Sequence, residues 1–173
     1  MPVIRDLPFT LTKTDVIRGL GMSAGQTVRP QIDRLVDELL NDEVVLKLIR
    51  PALAYDVYSV LRIEGEDCFL EDGTVFHGAT IPRLLARAKA LAVGVATIGP
   101  DLEAVVSAYF NSSRRLKAII LDAMGSSTME NMRFAFGDII GKEAAKRGYT
   151  ASSPVSPGGP SWPLTEQFKI FAL

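Results

Sequence analysis

The 173 residues carry 19 Lys and Arg against 20 Asp and Glu, a formal charge of −1, which excludes nucleic-acid binding driven by a basic surface. A hydrophobic share of 47% and a charged share of 23% mark a globular chain, long enough to bury roughly 70% of its unfolded surface around one core, or one core and a small lobe. A single Cys and a single His cannot close a disulfide or complete a zinc site, and they leave little room for Cys/His catalysis. No apolar run reaches the ~18 residues of a membrane span, and MPVIRDLPFT lacks the basic-then-apolar order of an export signal, so no membrane association and a cytoplasmic location are expected.

The first elements are helical. Thr12 and Asp15 have the spacing of a reciprocal cap, and Gly19 and Gly21 close a short helix over about 13–19. A second helix begins after Thr27, accepts Pro30 in its first turn, and carries Val28, Ile32, Leu35, Val36, Leu39 and Leu40 as one apolar stripe. Pro51 ends this region. Val57, Ser59, Leu61 and Ile63 then alternate with Tyr58, Val60 and Arg62 as a strand with unlike faces does. Cys68 to Leu70 and Thr74 to His77 flank Asp72-Gly73, a pair suited to a two-residue hairpin turn. Three antiparallel strands are expected here.

Further along, Thr80 is placed to cap a helix over 81–89 with Leu84, Leu85 and Ala88 inward. Leu91 to Ile98 is an unbroken apolar run that suits a strand buried on both faces. Gly99-Pro100 turns the chain into a helix whose first turn holds Asp101 and Glu103 near its partial positive charge and whose buried stripe is Leu102, Val105, Val106 and Tyr109. From Ser113 to Gly148 the pattern is helical for about 35 residues against a typical ~11 to 12, so either a kink near Gly125 or Gly137 or two successive helices are expected. Composition changes at about 149: Pro154, Pro157, Pro160 and Pro163 are interleaved with Gly158, Gly159 and serines. A final helix places Leu164, Phe168 and Phe171 on one side. There is no internal repeat.

Several fragments fail as motifs once their spacing is counted. Gly137-Asp138-Ile139-Ile140-Gly141-Lys142 has three rather than four residues between its glycines and no hydroxyl residue after the lysine, so it is not a phosphate loop. Gly19, Gly21 and Gly25 lack the spacing and preceding strand of a dinucleotide fingerprint. His77, at a strand end, reads as a core or edge histidine before a proton carrier, and Cys68 as a small strand hydrophobe. Arg114, Arg115 and Lys117 read as a solvated helix start.

Two segments are richer. In Leu121 to Glu130, residues Asp122, Ser126 and Glu130 recur at intervals of four on one helical face, among small residues Ala123, Gly125, Ser126 and Ser127 that permit close approach. The spacing fits tight helix packing, with Asp122 and Glu130 tied to backbone groups or Arg133, or a carboxylate pair, Asp122 and Glu130, facing a loop or small molecule. Two turns of separation excludes a proton-sharing dyad. In Ser156 to Gln167, consecutive glycines allow close approach of the main chain, prolines restrict the loop, and Trp162 offers a flat apolar wall. That segment reads equally as a ligand loop built from Ser156, Pro157, Gly158, Gly159 and Trp162 or as a connector pinned by a buried indole. No catalytic residue and no metal ligand stands out.

Ala96-Thr97-Ile98-Gly99-Pro100-Asp101-Leu102-Glu103, Leu121-Asp122-Ala123-Met124-Gly125-Ser126, and Ser156-Pro157-Gly158 with Trp162-Pro163-Leu164 and Glu166-Gln167 together resemble the activation domain of cobalamin (vitamin B12)-dependent methionine synthase, and most closely its stand-alone relatives. The order and separations match across roughly residues 50 to 173. The resemblance implies an α+β fold over residues 51–173, a mixed or antiparallel sheet with long helices packed on it; with the helical segment read from the residues over 1–50, one compact domain overall is expected. It implies an accessory role in corrinoid methyl transfer, in which the domain binds S-adenosylmethionine and docks on a cobalamin-carrying protein or methionine synthase while the inactive Co(II) cofactor is reduced and remethylated. Cobalamin itself would be reached only through that partner, since the chain has no Asp-x-His-x-x-Gly signature.

The family's adenosylmethionine loop resembles Arg-x-x-Pro-Gly-Tyr, and here Pro154 and Gly159 stand where the arginine and tyrosine would. Loss of a charge-assisted contact of about 1.5 to 3 kcal/mol implies binding on the order of ten- to a hundredfold weaker. The family also continues through further core elements, leaving Phe168, Ile170, Phe171 and Leu173 as a terminal apolar patch. Two other readings stand beside this one. One is a small S-adenosylmethionine-dependent methyltransferase with its base among Asp122, Glu130, Glu166 and His77. The other is a homo-oligomeric structural protein whose tail packs on a neighbour.

Overall fold

The computed structural model describes residues 1–23, 26–159 and 161–173; Gly25 and Pro160, named above, lie outside them. The fold is α+β, a curled antiparallel sheet with helices. In chain order the elements are β1 (Val3–Arg5), α1 (Lys13–Gly19), α2 (Pro30–Leu40), α3 (Glu43–Lys47), β2 (Ala52–Glu64), β3 (Asp67–Leu70), β4 (Val75–His77), α4 (Ile81–Leu85), β5 (Ala90–Thr97), α5 (Asp101–Phe110), α6 (Arg115–Lys146) and α7 (Gln167–Ala172), the last entered through a 3₁₀ turn over Leu164–Glu166. Two compact units arise from this chain. One gathers Met1–Val3, Leu53–Val95 and Gly137–Leu173, the other Ile4–Ala52 and Ala96–Phe136. Each is assembled from stretches separated in sequence.

In the first unit the strand order is β1-β2-β3-β4, with β5 also pairing with β2. Antiparallel pairing sets Ile63 opposite Cys68 and Cys68 opposite Phe76, with a register shift between Val60 and Arg62. Alternation places Cys68, Leu70 and Phe76 inward, where they join Ile81, Leu85, Val93 and Trp162 in one buried cluster. Burial pushes the Cys68 thiol pKa up, as for an inert core cysteine. The β3–β4 connection is tighter in backbone demand but longer than the two-residue turn expected. Leu70 N–H donates to Thr74 O at 2.9 Å, Gly73 N–H donates to Leu70 O at 3.1 Å, and Gly73 takes φ +92°. This is the three-residue loop with one left-handed glycine, while the Asp72 carboxylate accepts from Thr74 N–H at 3.1 Å.

Two expectations in this unit need correction. α4 stops at Leu85 and leaves Leu84 exposed, and Thr80 is itself in the right-handed helical region, so its hydroxyl does not cap but donates to Ser161 O at 3.4 Å. β5 is not buried on both faces. Val93 alone is buried and its neighbours Leu91, Ala92, Gly94 and Val95 are half-buried.

In the second unit the core comprises Val16, Val36, Leu39, Val45, Ile49, Leu102, Val106, Ala118, Ile120, Leu121, Ala123 and Met124. α1 has the expected capping box: Thr12 N–H donates to Asp15 Oδ2 at 2.9 Å and Asp15 N–H to Thr12 Oγ1 at 3.2 Å. α3, not anticipated from the sequence, is capped by Asp42, whose carboxylate accepts from Val44 N–H at 2.9 Å and Val45 N–H at 3.3 Å. Lys13 Nζ lies 2.8 Å from both Asp33 and Asp37 of α2, an exposed bridge that contributes little to stability.

α6 is one continuous helix of 32 residues. Its glycines serve close approach instead of a break. A Cβ on Gly125 would lie 3.2 Å from Ile98 Cδ1 and Leu102 Cδ2, and one on Gly137 would lie 3.1 Å from the Pro154 ring. Against the small residues Ala123 and Ser127, α1 brings Gly19 so near that a Cβ there would sit 2.7 Å from Ser127 Oγ and 2.9 Å from Ala123 O. Ser127 Oγ also donates to Asp15 O at 2.9 Å. Gly19→Ala is therefore expected to lower unfolding free energy by about 1 to 3 kcal/mol through overpacking. In contrast, Gly141→Ala, where a Cβ meets nothing within 4 Å, should raise it by about 0.5 to 1 kcal/mol by restricting the unfolded chain. Urea titration of both variants measures the pair, and destabilisation by Gly141→Ala or neutrality of Gly19→Ala would contradict this packing.

Candidate functional site

Within the sheet-bearing unit, the end of β4 and the segment before the 3₁₀ turn enclose a cleft of about 420 Å³ lined by Glu66, His77, Gly78, Ala79, Gly158, Gly159, Ser161, Trp162, Pro163 and Leu164. Its floor follows from the sheet. β4 ends at His77, and Gly78 turns the chain away, donating to Glu66 O at 2.9 Å and accepting from Ile81 N–H at 2.9 Å. Gly78 is the point of closest approach, because a Cβ there would lie 2.9 Å from Trp162 Cδ1 and 3.1 Å from Ser161 O. The indole packs edge-on against Phe76, with ring centroids 5.9 Å apart and planes at 84°, a favourable aromatic geometry.

The glycine segment is bonded to itself. Gly158, at φ +95°, donates its N–H to Trp162 O at 2.9 Å, and Trp162 N–H donates to Gly159 O at 3.3 Å. Of the main-chain groups proposed to meet a ligand, the Gly158 amide is thus already engaged. Trp162 is 9% exposed, and its Nε1 is shielded from solvent without a hydrogen-bond partner among the described residues. A buried donor left unpaired costs about 1 to 3 kcal/mol. Ser156 is exposed and Pro157 half-buried, and neither lines the cleft.

The rim is acidic. His77 Nδ1 lies 2.7 Å from Asp67 Oδ1 and Nε2 lies 3.5 Å from Glu66 Oε2. The hydrogen bond to Asp67 holds the His77 pKa above its ordinary value, with Asp67 and Glu66 charges adding to it. The main-chain N–H of His77 donates to Glu166 Oε2 at 2.8 Å. Glu166 is 7% exposed and its carboxylate accepts from Lys169 Nζ at 2.8 and 2.9 Å, while the same ammonium donates to Val75 O at 2.7 Å. Glu166 and Lys169 thereby fasten the C-terminal segment to β4. Among the described residues no group of His, Cys, Asp and Glu is arranged to hold a metal ion, and no helix is long and apolar enough to cross a membrane.

Asp122 and Glu130 belong to the other unit. Both are exposed, with Ser126 between them on the same face of α6. Glu130 accepts a bidentate pair from Arg133, at 3.0 Å from Nε and 2.7 Å from Nη2, and that guanidinium holds the Glu130 carboxyl below the usual range. The small residues near them serve helix packing, as described for Gly19 and Gly125. Sequence reading had no signal for Glu66, Gly78 or Ala79 at a site. Only His77 at a strand end had drawn attention there, and the pairing of β3 with β4 is what brings Glu66 beside it.

Along α7, Phe168 and Phe171 are 66% and 63% exposed and Leu164 is 58% exposed, so the row expected on one side faces outward. Ile170 and Leu173 pack on the cluster containing Trp162.

No protein-family model and no curated protein sequence matches the chain. Among solved structures, it is similar to the MetH reactivation domain bound to AdoHcy, with a TM-score of 0.70 and 15% identity, covering 100% of this chain and 70% of that one. At that identity the likeness establishes the fold.

Two outcomes follow from the site. Trp162→Phe, which keeps the ring against Phe76 and removes the unpaired donor, should leave stability within about 1 kcal/mol, whereas Trp162→Ala should cost about 3 to 5 kcal/mol by opening a cavity; thermal and denaturant unfolding measure both. For His77, the raised folded pKa means its stabilising contribution is complete below the unfolded value of 6.5 and is lost as pH climbs through the folded value. Asp67→Asn should return the His77 pKa toward 6.5, read by imidazole proton NMR, and an unchanged titration would contradict the assigned cause.

Proposed function

We propose that this chain is an accessory module of corrinoid-dependent methyl transfer, of the methionine synthase reactivation kind, that binds an adenosyl compound weakly in the cleft beside Gly158, Gly159 and Trp162. The observation that carries the reading is the fold likeness, extending over the whole chain, to a reactivation domain crystallised with AdoHcy. The cleft suits the proposed guest in part. It is lined by the apolar residues Trp162, Pro163 and Leu164 beside the exposed main chain of Gly158 and Gly159.

In this role S-adenosylmethionine supplies a methyl group to a corrinoid held by a separate protein. The chain's own residues bind and orient the donor: Trp162 supports the nucleoside face, and the Gly158–Trp162 bonds keep the loop from collapsing into the space. Carboxylate recognition is where the fit is poor, because neither Lys nor Arg lines the cleft. Cobalamin and its carrier enter as partner, and none of the side chains on this chain is proposed to ligate cobalt.

Titration calorimetry with S-adenosylmethionine and AdoHcy should give a Kd weaker than about 1 µM, that is, a binding free energy smaller in magnitude than about 8 kcal/mol. Gly158→Val, which forces a branched residue to φ +95° beside Leu164 Cδ1, should abolish it. For the accessory role, purified cobalamin-dependent methionine synthase lacking its own reactivation domain should recover turnover from the Co(II) state when this chain, S-adenosylmethionine and a reductant are added together. Absence of both binding and recovery would overturn the proposal.

A further inference from the structure

Directly after the cleft the chain becomes basic. Gly78 and Ala79 line the cleft and α4 starts at Ile81. Between Asp72 and Asp101 the sequence holds no acidic residue, and Arg83, Arg87 and Lys89 fall in this stretch. Ile81 and Leu85 are buried one turn apart, which turns Arg83 and Leu84 away from the core, with Arg87 four positions after Arg83. All three cations are exposed, and none has an ion-pair partner among the described residues. They surround apolar surface. Leu84 is 39% exposed, and Leu61, next to the Val60 N–H that donates to Lys89 O at 3.0 Å, is 62% exposed. The start of the segment is fastened to the opposite cleft wall, since the Thr80 N–H and hydroxyl both donate to Ser161 O at 3.4 Å.

The make-up of this surface decides what it fits. Unpaired arginine beside exposed apolar side chains is the composition of a protein interface. An anionic membrane calls for about 4 to 8 clustered cations or a long amphipathic helix, whereas α4 has five residues. Nucleic acid would call for aromatic stacking platforms or a longer basic track, and the chain as a whole carries a formal charge of −1. We propose that Arg83, Leu84, Arg87 and Lys89, with Leu61, form the docking surface for an acidic face of the protein that carries the methyl acceptor. This rests on the accessory reading given above. Methyl transfer needs donor and acceptor about 3 to 3.5 Å apart, so the carrier has to sit against the cleft, and this surface continues from the cleft's own lining. The cations steer and orient the partner, and the leucines supply the apolar contact.

Sedimentation of the full chain with purified cobalamin-dependent methionine synthase lacking its own reactivation domain measures the association. Its Kd should rise at least about tenfold between 0.1 and 1 M salt, as the screening length falls from about 10 to 3 Å. Arg83→Glu combined with Arg87→Glu should weaken association at least about tenfold and flatten its salt dependence, while Arg83→Lys with Arg87→Lys keeps most of both. Leu84→Ser should weaken association and leave the salt dependence as it was. Since these side chains are exposed and the cations unpaired, the unfolding midpoint and the calorimetric Kd for AdoHcy, which has no net charge, should be the same in every variant. Association that responds neither to salt nor to charge reversal overturns this surface and leaves the accessory reading standing. Binding to phosphatidylserine vesicles that is lost in the charge-reversed variant, without binding to the synthase, also overturns it, in favour of a membrane. No association of the unaltered chain with the synthase overturns the partner half of the accessory reading, and this inference with it.

Discussion

The candidate site depends on the contact between Gly78 and Trp162. Only a residue without a Cβ lets the indole come this near to the end of β4, and only with the indole there is Phe76 covered edge-on. The segment carrying Trp162 is then held from two directions, by the Gly158–Trp162 main-chain bonds on one side and by Glu166 under His77 on the other. Remove the close approach and the wall of the cleft, the cover of the core cluster and the seat of the 3₁₀ turn would all move together. A polar carboxylate buried under a strand end is normally unfavourable; Lys169 offsets it with paired hydrogen bonds.

Much of the architecture could be read directly from residue spacing. Thr12 and Asp15 announced α1, Pro30 and the following stripe announced α2, and Gly99-Pro100 with Asp101 and Glu103 announced α5. These are local signals, set by caps and periodicity within one turn or two. β1 and α3 were not legible because three strand residues or five helical ones carry too little periodicity to stand out. The reading of α6 left a break open because glycine within a helix is ambiguous by itself. Gly125 and Gly137 mark where Ile98, Leu102 and Pro154 approach, and those partners are distant in sequence.

The site was legible in one half only. Gly158, Gly159 and Trp162 drew attention through composition, and they do line the cleft. Glu66 and Gly78 gave no signal, since a glutamate in a turn and a glycine after a strand are ordinary until β3 and β4 pair and bring them opposite the tail. For Asp122 and Glu130, helical spacing placed them correctly on one face, exposed. Of the partners the sequence offered, backbone groups or Arg133, Glu130 takes Arg133.

The chain's single tryptophan is also its cleft wall. Its fluorescence therefore reports on one unit, with emission shifted to the blue by burial. Of the tyrosines, Tyr55, Tyr58 and Tyr149 share that unit, and Tyr109 lies in the other. Excitation at the red edge, where indole alone absorbs, thus follows the loosening of the sheet-bearing half without a label, and a departure from the course followed by circular dichroism of the helices would reveal whether the two halves melt as one cooperative body.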